Sequence, residues 1–250
     1  YVAMFAVQRL GAAAVFLDSW ARRGQLGSCT AQVEPRGFIG PEAAFGLTSG
    51  VPELESARVR VVVGPHDGEY SASLEELAAA GESCPVRPVE REHTALITFT
   101  TGSSGPPKGA DRTHRFLAAQ HEALDRCLPY ADDDVDLPVF PIFSLNNIAG
   151  GVTTVLPAVD LARPSEADGR RLLAQIEAAG VTCSTLSPWL LRAAAAAGED
   201  GAAMRGVRRI ATGGAPISAD DVAAVKRAAP NAGLHILYGS TEVEPIAHLV

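Results

Sequence analysis

The sequence has little clustered positive charge. Its 250 residues contain 21 Lys and Arg against 29 Asp and Glu, which gives a net charge of -8, and no basic run exceeds two residues. A nucleic-acid surface needs grouped Lys and Arg to displace counterions from phosphate. The composition therefore argues against a nucleic-acid-binding protein, and we expect no nucleic-acid partner.

The sequence also lacks the residue spacings of a protein metal site or a redox motif. Its four cysteines each lie more than 40 residues from the next, and its six histidines are scattered without an H-E-x-x-H pattern. Closely spaced Cys or His pairs are what mark zinc and redox sites in a sequence. We therefore expect buried free thiols in a reducing compartment and no structural zinc.

No apolar run is long enough to cross a membrane. The first 17 residues are largely apolar, but Gln8 and Arg9 interrupt them, and a membrane helix needs about 20 apolar residues. We expect a cytoplasmic protein without a transmembrane segment. The chain starts at Tyr1 inside a predicted helix and stops at Val250 without a terminal taper, so we also expect it to be part of a longer protein.

What the second half does contain is a regular alternation of strand and helix patterns. Runs of β-branched and apolar residues predict strands at 181–187, 208–214 and 234–239, and helical patterns occupy 169–180, 188–197 and 219–229. Ser187 and Ser218 stand where helix N-caps are expected. The alternation indicates parallel strands connected by helices.

The first half repeats this rhythm less clearly. Helices are predicted near 2–10 and 21–33, and strands near 13–18, 37–40, 57–64 and 94–99. The chain is therefore expected to be an α/β protein with largely parallel sheets and flanking helices. The polar, turn-rich segment 65–93 predicts a subdomain seam.

Three glycine-containing loops follow predicted strands, where parallel α/β sheets bind ligands: 100–109, 212–216 and 238–242. The first, with "TTGSSGPPKG" at 100–109, offers freed backbone N–H groups, several hydroxyls and the cation Lys108, which suit a bound phosphate. It is not a Walker loop, because Gly109 and not a hydroxyl follows the lysine, and the next helix is expected only after Thr113. Any magnesium ligand must therefore come from elsewhere in the chain.

The three segments together resemble the signatures of the adenylate-forming superfamily, which includes acyl-CoA synthetases, peptide-synthetase adenylation domains and luciferases. "TTGSSGPPKG", "GGAP" at 213–216 and "YGSTE" at 238–242 follow the family's order, and the resemblance spans nearly the whole chain. It implies an enzyme that is an ATP-dependent, AMP-forming acid-activating ligase. It also implies the fold of the family's large N-terminal domain, incomplete in residues 1–250, with the C-terminal lid domain absent from them.

The resemblance assigns a role to each segment. Lys108 and the preceding loop would hold the β- and γ-phosphates of ATP, Glu242 would bind Mg²⁺, and Thr241 would hydrogen-bond the α-phosphate, which makes Lys108, Thr241 and Glu242 the implied catalytic residues. Adenine would lie between the 214–216 segment and the ring of Tyr238. The implied nucleotide-binding residues are Thr100, Thr101, Gly102, Ser103, Ser104, Gly105, Lys108, Gly214, Ala215, Pro216, Tyr238, Gly239, Ser240 and Thr241.

Segment 135–164 favours one subgroup of the family. The sequence of this segment resembles that of the β-lactone synthetases of bacterial olefin biosynthesis. This resemblance implies activation of a long-chain 3-hydroxy acid and ring closure by the substrate's own hydroxyl. The alternatives are a fatty acyl-CoA ligase, which would add CoA to ATP and Mg²⁺, and a non-catalytic nucleotide-binding remnant. Ser144 stands where many acyl-CoA synthetases have a histidine, and Ser240 where the subgroup pattern has Ala.

Overall fold

A computed structural model describes residues 1–17, 23–81, 83–100, 107–159, 165, 167–198 and 201–250. The chain divides into two compact units, Tyr1–Leu117 and Ala118–Val250. Among the described residues, no helix combines the length and the apolar character that a membrane crossing requires.

The first unit contains two small sheets. Its elements are α1 (Val2–Arg9), β1 (Ala14–Phe16), α2 (Arg23–Thr30), β2 (Gly37–Pro41), α3 (Glu42–Thr48), α4 (Pro52–Glu55), β3 (Val59–Val63), β4 (Ala72–Ser73), α5 (Leu74–Ala79), β5 (Thr94–Thr100) and β6 (Lys108–Thr113). Strands β2, β3 and β4 form a parallel sheet. In the other sheet β5 lies between β1, to which it is parallel, and β6, to which it is antiparallel.

A helix, α6 (His114–Cys127), begins in the first unit and ends in the second. The second unit continues with β7 (Val135–Pro138), α7 (Pro141–Gly150), β8 (Thr153–Thr154), α8 (Ala167–Ala179), β9 (Cys183–Leu186), α9 (Pro188–Ala197), β10 (Arg209–Gly213), α10 (Ala219–Ala228), β11 (Gly233–Ser240) and β12 (Val243–Leu249). Its sheet has the strand order β12-β11-β10-β9-β7-β8, and every neighbouring pair is parallel except β11 with β12.

The six-stranded sheet buries both of its faces. Leu186 and Ile210 point to one face, where they pack with Leu172 of α8, Leu191 of α9 and Val225 of α10. On the opposite face, α6 and α7 cover a smaller apolar cluster formed by Leu124, Leu128, Phe143, Ala211 and Leu237. Burial on both sides explains why all four residues of β9 and the first four of β10 are buried, whichever face they point to.

The predicted helix starts are confirmed where side-chain caps form. The hydroxyl of Thr113 accepts the N–H of Phe116 at 3.1 Å, and that of Ser187 accepts the N–H of Leu190 at 3.3 Å. Pro188 occupies the first turn of α9, where its missing N–H costs nothing. These caps set the points at which the chain leaves a strand and enters a helix.

The predicted α/β fold with largely parallel strands is confirmed, with two differences. Lys108 was expected in a loop but begins β6, and β11 continues one residue beyond the predicted strand 234–239, to Ser240. Both strands belong to antiparallel hairpins, which the βα rhythm does not reveal. Segment 65–93 falls within the first unit, and the subdomain seam stays a prediction.

Candidate active site

In the first unit, the β5–β6 hairpin carries the predicted phosphate segment. Thr100, the last residue of β5, lies opposite Lys108, the first residue of β6, so the two flank residues 101–107 in the sequence. Lys108 is exposed, whereas the preceding Pro107 is buried and its carbonyl accepts the Gln32 side-chain N–H at 3.0 Å. The hairpin thus presents the ammonium group to solvent from an anchored strand. Five of the predicted residues lie outside the described residues: Thr101, Gly102, Ser103, Ser104 and Gly105.

In the second unit, "GGAP" begins where β10 ends, and both of its glycines are required by the backbone. A Cβ on Gly213 would collide with the carbonyl oxygen of Leu237 in the neighbouring strand. Gly214 has a φ of 81°, in the left-handed region that residues with a Cβ rarely adopt. The pair therefore lets the chain turn out of the sheet while β10 stays close to β11.

The residues after this turn are exposed, and side-chain hydrogen bonds hold them. Ala215 and Pro216 are exposed, and the carbonyl of Pro216 accepts an Arg192 N–H at 3.3 Å. Ser218 then caps α10: its hydroxyl accepts the N–H of Asp221 at 3.2 Å, and the Asp221 carboxylate accepts the N–H of Ser218 at 2.9 Å. The segment is thus a bridge between β10 and α10 with its surface open to solvent.

The "YGSTE" segment forms the end of β11 and the turn that follows it. Tyr238 is 66% exposed. The pairing of β11 with β12 shifts register between Tyr238 and Ser240, and Thr241 and Glu242 form the turn that connects the two strands. The side chain of Glu242 is exposed at this turn. A tight hairpin therefore presents an aromatic ring and a carboxylate within five residues.

The second unit brings "GGAP" and "YGSTE" to the same edge of its sheet. Gly213 lies opposite Leu237 in the parallel β10–β11 pair, so the next residues, Gly214 and Tyr238, leave the register side by side. The carboxyl ends of parallel strands are the usual ligand-binding edge of such sheets. The structure therefore assembles the predicted residues into two groups, one in each unit: Thr100 with Lys108, and 213–216 with 238–242.

Comparison with known proteins identifies the family of this chain. The AMP-binding enzyme family matches residues 1–250. The chain belongs to this family. It is 35% identical over 250 residues to the olefin β-lactone synthetase of Stenotrophomonas maltophilia and 33% identical to that of Xanthomonas campestris pv. campestris, covering 99% of this chain each time. The chain spans less than half the length of these relatives, 45% and 44% respectively.

A solved structure shows the same fold. The luciferase-like enzyme of the nonluminescent mealworm Zophobas morio superposes with a TM-score of 0.81 at 19% identity, over 98% of this chain and 58% of that one. At that identity the likeness concerns the fold alone. The expected membership of the adenylate-forming superfamily and its α/β fold are thus confirmed, while the roles of individual site residues stay predictions.

In the six-stranded sheet of the second unit, a polar cluster lies near the amino-terminal ends of the strands, and the sequence did not reveal it. The buried carboxylate of Asp136 accepts hydrogen bonds from the Tyr130 hydroxyl and the Asn147 amide, both at 2.7 Å. The guanidinium of Arg209 stacks 4.3 Å from the Tyr130 ring and donates to the carbonyl of Pro129. Burial raises the pKa of Asp136, and the hydrogen bonds from Asn147 and Tyr130 oppose that shift.

Two histidines extend this polar region towards the β11–β12 hairpin. Nδ1 of His235 lies 2.8 Å from Nε2 of His248, with the rings stacked at a centroid distance of 5.0 Å. Burial lowers the pKa of His235, and the neighbouring His248 and Arg209 lower it further. At this distance one of the two nitrogens donates its N–H and the other accepts it.

Ser144, the residue that departs from the acyl-CoA synthetase pattern, lies inside α7. It is 1% exposed, and among the described residues its hydroxyl has no hydrogen-bond partner. The side chain therefore lies in the interior of the second unit. No residue type in the sequence marks Asp136, Arg209 or the histidine pair in advance, because only the strand register brings them together.

Proposed function

We propose that this AMP-binding enzyme activates a long-chain 3-hydroxy carboxylic acid with ATP, forms an acyl-adenylate and releases pyrophosphate, and that the acid's own hydroxyl then closes a β-lactone. The observation that carries this proposal is the 35% identity, over 99% of the chain, to an olefin β-lactone synthetase. Because the chain spans less than half of that relative, the activity is proposed for the full-length gene product.

The first step brings two anions together. A carboxylate oxygen bonds to the α-phosphorus of ATP, the bond from that phosphorus to the bridging oxygen breaks, and pyrophosphate leaves with its charge to be stabilised. Lys108, exposed at the start of β6 and opposite Thr100, supports a role on the β- and γ-phosphates. The predicted hydroxyls and amides of 101–105 would complete that site.

The turn between β11 and β12 suits a magnesium ion. Glu242 offers an exposed carboxylate, the hard oxygen ligand that Mg²⁺ prefers. Among the described residues, no group of three or more His, Cys, Asp or Glu side chains is arranged to hold a metal. A cation at Glu242 would therefore take its remaining ligands from phosphate and water, as Mg²⁺ commonly does. When bound, the ion would neutralise charge on the phosphates.

Adenine is proposed to bind between two neighbouring strand ends. The exposed ring of Tyr238 offers an apolar face, and the backbone of 214–216 lies on the adjacent strand. Thr241, in the turn beside Glu242, is proposed to donate its hydroxyl to the α-phosphate.

The second step distinguishes the proposed enzyme from a CoA ligase. In lactone formation the 3-hydroxyl oxygen attacks the acyl carbon, AMP leaves, and the hydroxyl proton passes to water or a base. In the ligase alternative the thiol of CoA attacks the same carbon. Both reactions share the adenylate, so the acceptor alone separates them.

Product analysis tests the proposal. The full-length gene product is incubated with ATP, Mg²⁺ and a long-chain 3-hydroxy acid, and the phosphate and acyl products are identified by mass spectrometry. We expect pyrophosphate, AMP and a β-lactone without added CoA. A thioester that forms only with CoA would assign the enzyme to the ligase alternative. Release of orthophosphate would contradict the adenylation step itself.

A further inference from the structure

Arg192, on the second turn of α9, connects three elements around the "GGAP" segment. Its Nε donates to Oδ1 of Asp221 at 2.8 Å, and one terminal nitrogen donates to Oδ2 at 3.1 Å. The same terminal nitrogen reaches the carbonyl of Pro216 at 3.3 Å. One guanidinium therefore ties α9 to the first turn of α10 and to the exposed backbone that follows β10.

Asp221 extends this connection to the end of the segment. Its carboxylate accepts the backbone N–H of Ser218 at 2.9 Å while it binds Arg192 in a two-pronged pair. The Arg192 hydrogen bond, followed by that from the Ser218 backbone, holds the pKa of Asp221 well below its usual range. The carboxylate is thus ionised at neutral pH, where it pairs with the Arg192 guanidinium.

The Arg192–Asp221 pair fixes the position of the backbone after β10 and contributes little to stability. The Arg192 side chain is 48% exposed, and exposed ion pairs contribute little to the free energy of folding. A planar guanidinium that bonds a carboxylate with two parallel N–H groups fixes direction, which a lysine ammonium does not. Alanines at 195, 196 and 224 and the side chain of Arg227 line the cavity beside it.

We propose that Arg192 is a positioning residue for nucleotide binding, which holds the 214–218 backbone in the orientation that forms one wall of the adenine pocket. This inference rests on the proposed function, because it takes Ala215 and Pro216 as that wall. Gly213 and Gly214 let the chain turn freely out of β10, and the Arg192–Asp221 pair fixes where the turn leads. Loss of the pair should leave the chemistry intact and weaken the fit of the purine.

The test compares steady-state constants of full-length variants. Arg192→Met keeps the aliphatic stem and removes the guanidinium; we expect the KM for ATP to rise about tenfold, with kcat and the KM for the acid within about twofold of the wild type. Arg192→Lys keeps the charge without the planar geometry and should recover only a small part of the loss. Arg227→Met, on α10 beside the same cavity, is the matched control and should behave as the wild type.

Three results would overturn the proposal. The first is an unchanged KM for ATP in Arg192→Met. The second is an equal rise in both KM values together with a lower melting temperature, since that would show a general structural role. The third is full recovery by Arg192→Lys, which would contradict the directional argument.

Calorimetric titration of ATP, without acid, separates this inference from the proposed function. If the wild type binds ATP but shows no acid-dependent reaction, the proposed function fails. The inference is then judged by the affinity ratio of Arg192→Met to wild type, with a tenfold loss supporting it and no loss overturning it. If the wild type does not bind ATP, both fail.

Discussion

Polar side chains are exposed at one end of the six-stranded sheet and buried at the other. At the carboxyl end, Tyr238 and Glu242 are exposed, and glycines shape the backbone around them. At the amino end, Asp136 and Arg209 are buried, and their partners come from α7 and from the loop before β7. Polar residues at strand ends can therefore have two roles. An exposed one can contact a ligand, whereas a buried one stabilises the fold through its hydrogen bonds.

The largest expected effect lies at the exposed end. Glu242→Gln removes the charge proposed to bind Mg²⁺ and should lower the rate of adenylation about a thousandfold, or ~4 kcal/mol of transition-state stabilisation. The free energy of unfolding should change by no more than about 0.5 kcal/mol, because the side chain is exposed. Acid-dependent exchange of labelled pyrophosphate into ATP measures the rate, with Glu177→Gln, an exposed acid on α8, as the control. A near wild-type rate would remove Glu242 from the site.

Substitutions at the buried amino end of the sheet should instead lower the free energy of unfolding. Asp136→Ala leaves the Tyr130 hydroxyl and the Asn147 amide without their acceptor and should cost about 3 kcal/mol of unfolding free energy, measured by urea denaturation. If that variant does not fold, Tyr130→Phe, which removes one hydrogen bond, should cost about 1.5 kcal/mol. Asp132→Ala, exposed in the same loop, is the control. Stability equal to the wild type in Tyr130→Phe would contradict the account.

Gly213 is expected to affect both stability and ligand binding, because its backbone contact inside the sheet shapes the exposed site. Gly213→Ala places a methyl group against the carbonyl of Leu237, so β10 and β11 must separate, and we expect a loss of about 2 kcal/mol in stability. The affinity for ATP should fall as well, since Gly214 and Tyr238 leave the same register. The analogous change at Gly206, where a Cβ would meet open space, should affect neither. A stable Gly213→Ala variant with unchanged ATP affinity would show that this contact does not shape the site.

The smallest effect concerns pH. Because burial lowers the pKa of His235 in the folded state, the unfolded chain binds more protons as the pH falls through the usual histidine value near 6.5. Stability should therefore decrease from pH 7.5 to pH 5, by no more than about 0.5 kcal/mol, since solvent screens the half-buried pair. His248→Gln should flatten this dependence. A stability that instead rises on acidification would reverse the sign assigned to the pair.

The sequence predicts the helices and the largely parallel strands of this protein, but it does not predict the antiparallel pairings. Thr113, Ser187 and Ser218 cap helices as their residue types indicate, and the β-branched runs form the central strands. Capping and strand propensity depend on neighbours in sequence, which explains that success. The antiparallel turns at β6 and β12 depend on contacts that no local pattern encodes.

The candidate site divides in the same way. Its segments carry recognisable motifs, so Lys108, 213–216 and 238–242 could be identified from the sequence. The Arg192–Asp221 pair could not, because 29 residues separate its members and only the packing of α9 on α10 brings them together. The Asp136 cluster was missed because its members come from different strands and helices, and its burial is a property of the fold.

The exposed carboxyl end of the six-stranded sheet is proposed to serve acid activation by adenylation. Exchange of labelled pyrophosphate into ATP by the full-length gene product, with and without a long-chain 3-hydroxy acid, tests it most directly. We predict exchange that requires the acid and Mg²⁺. Binding of ATP without any acid-dependent exchange, or hydrolysis to orthophosphate, would contradict it.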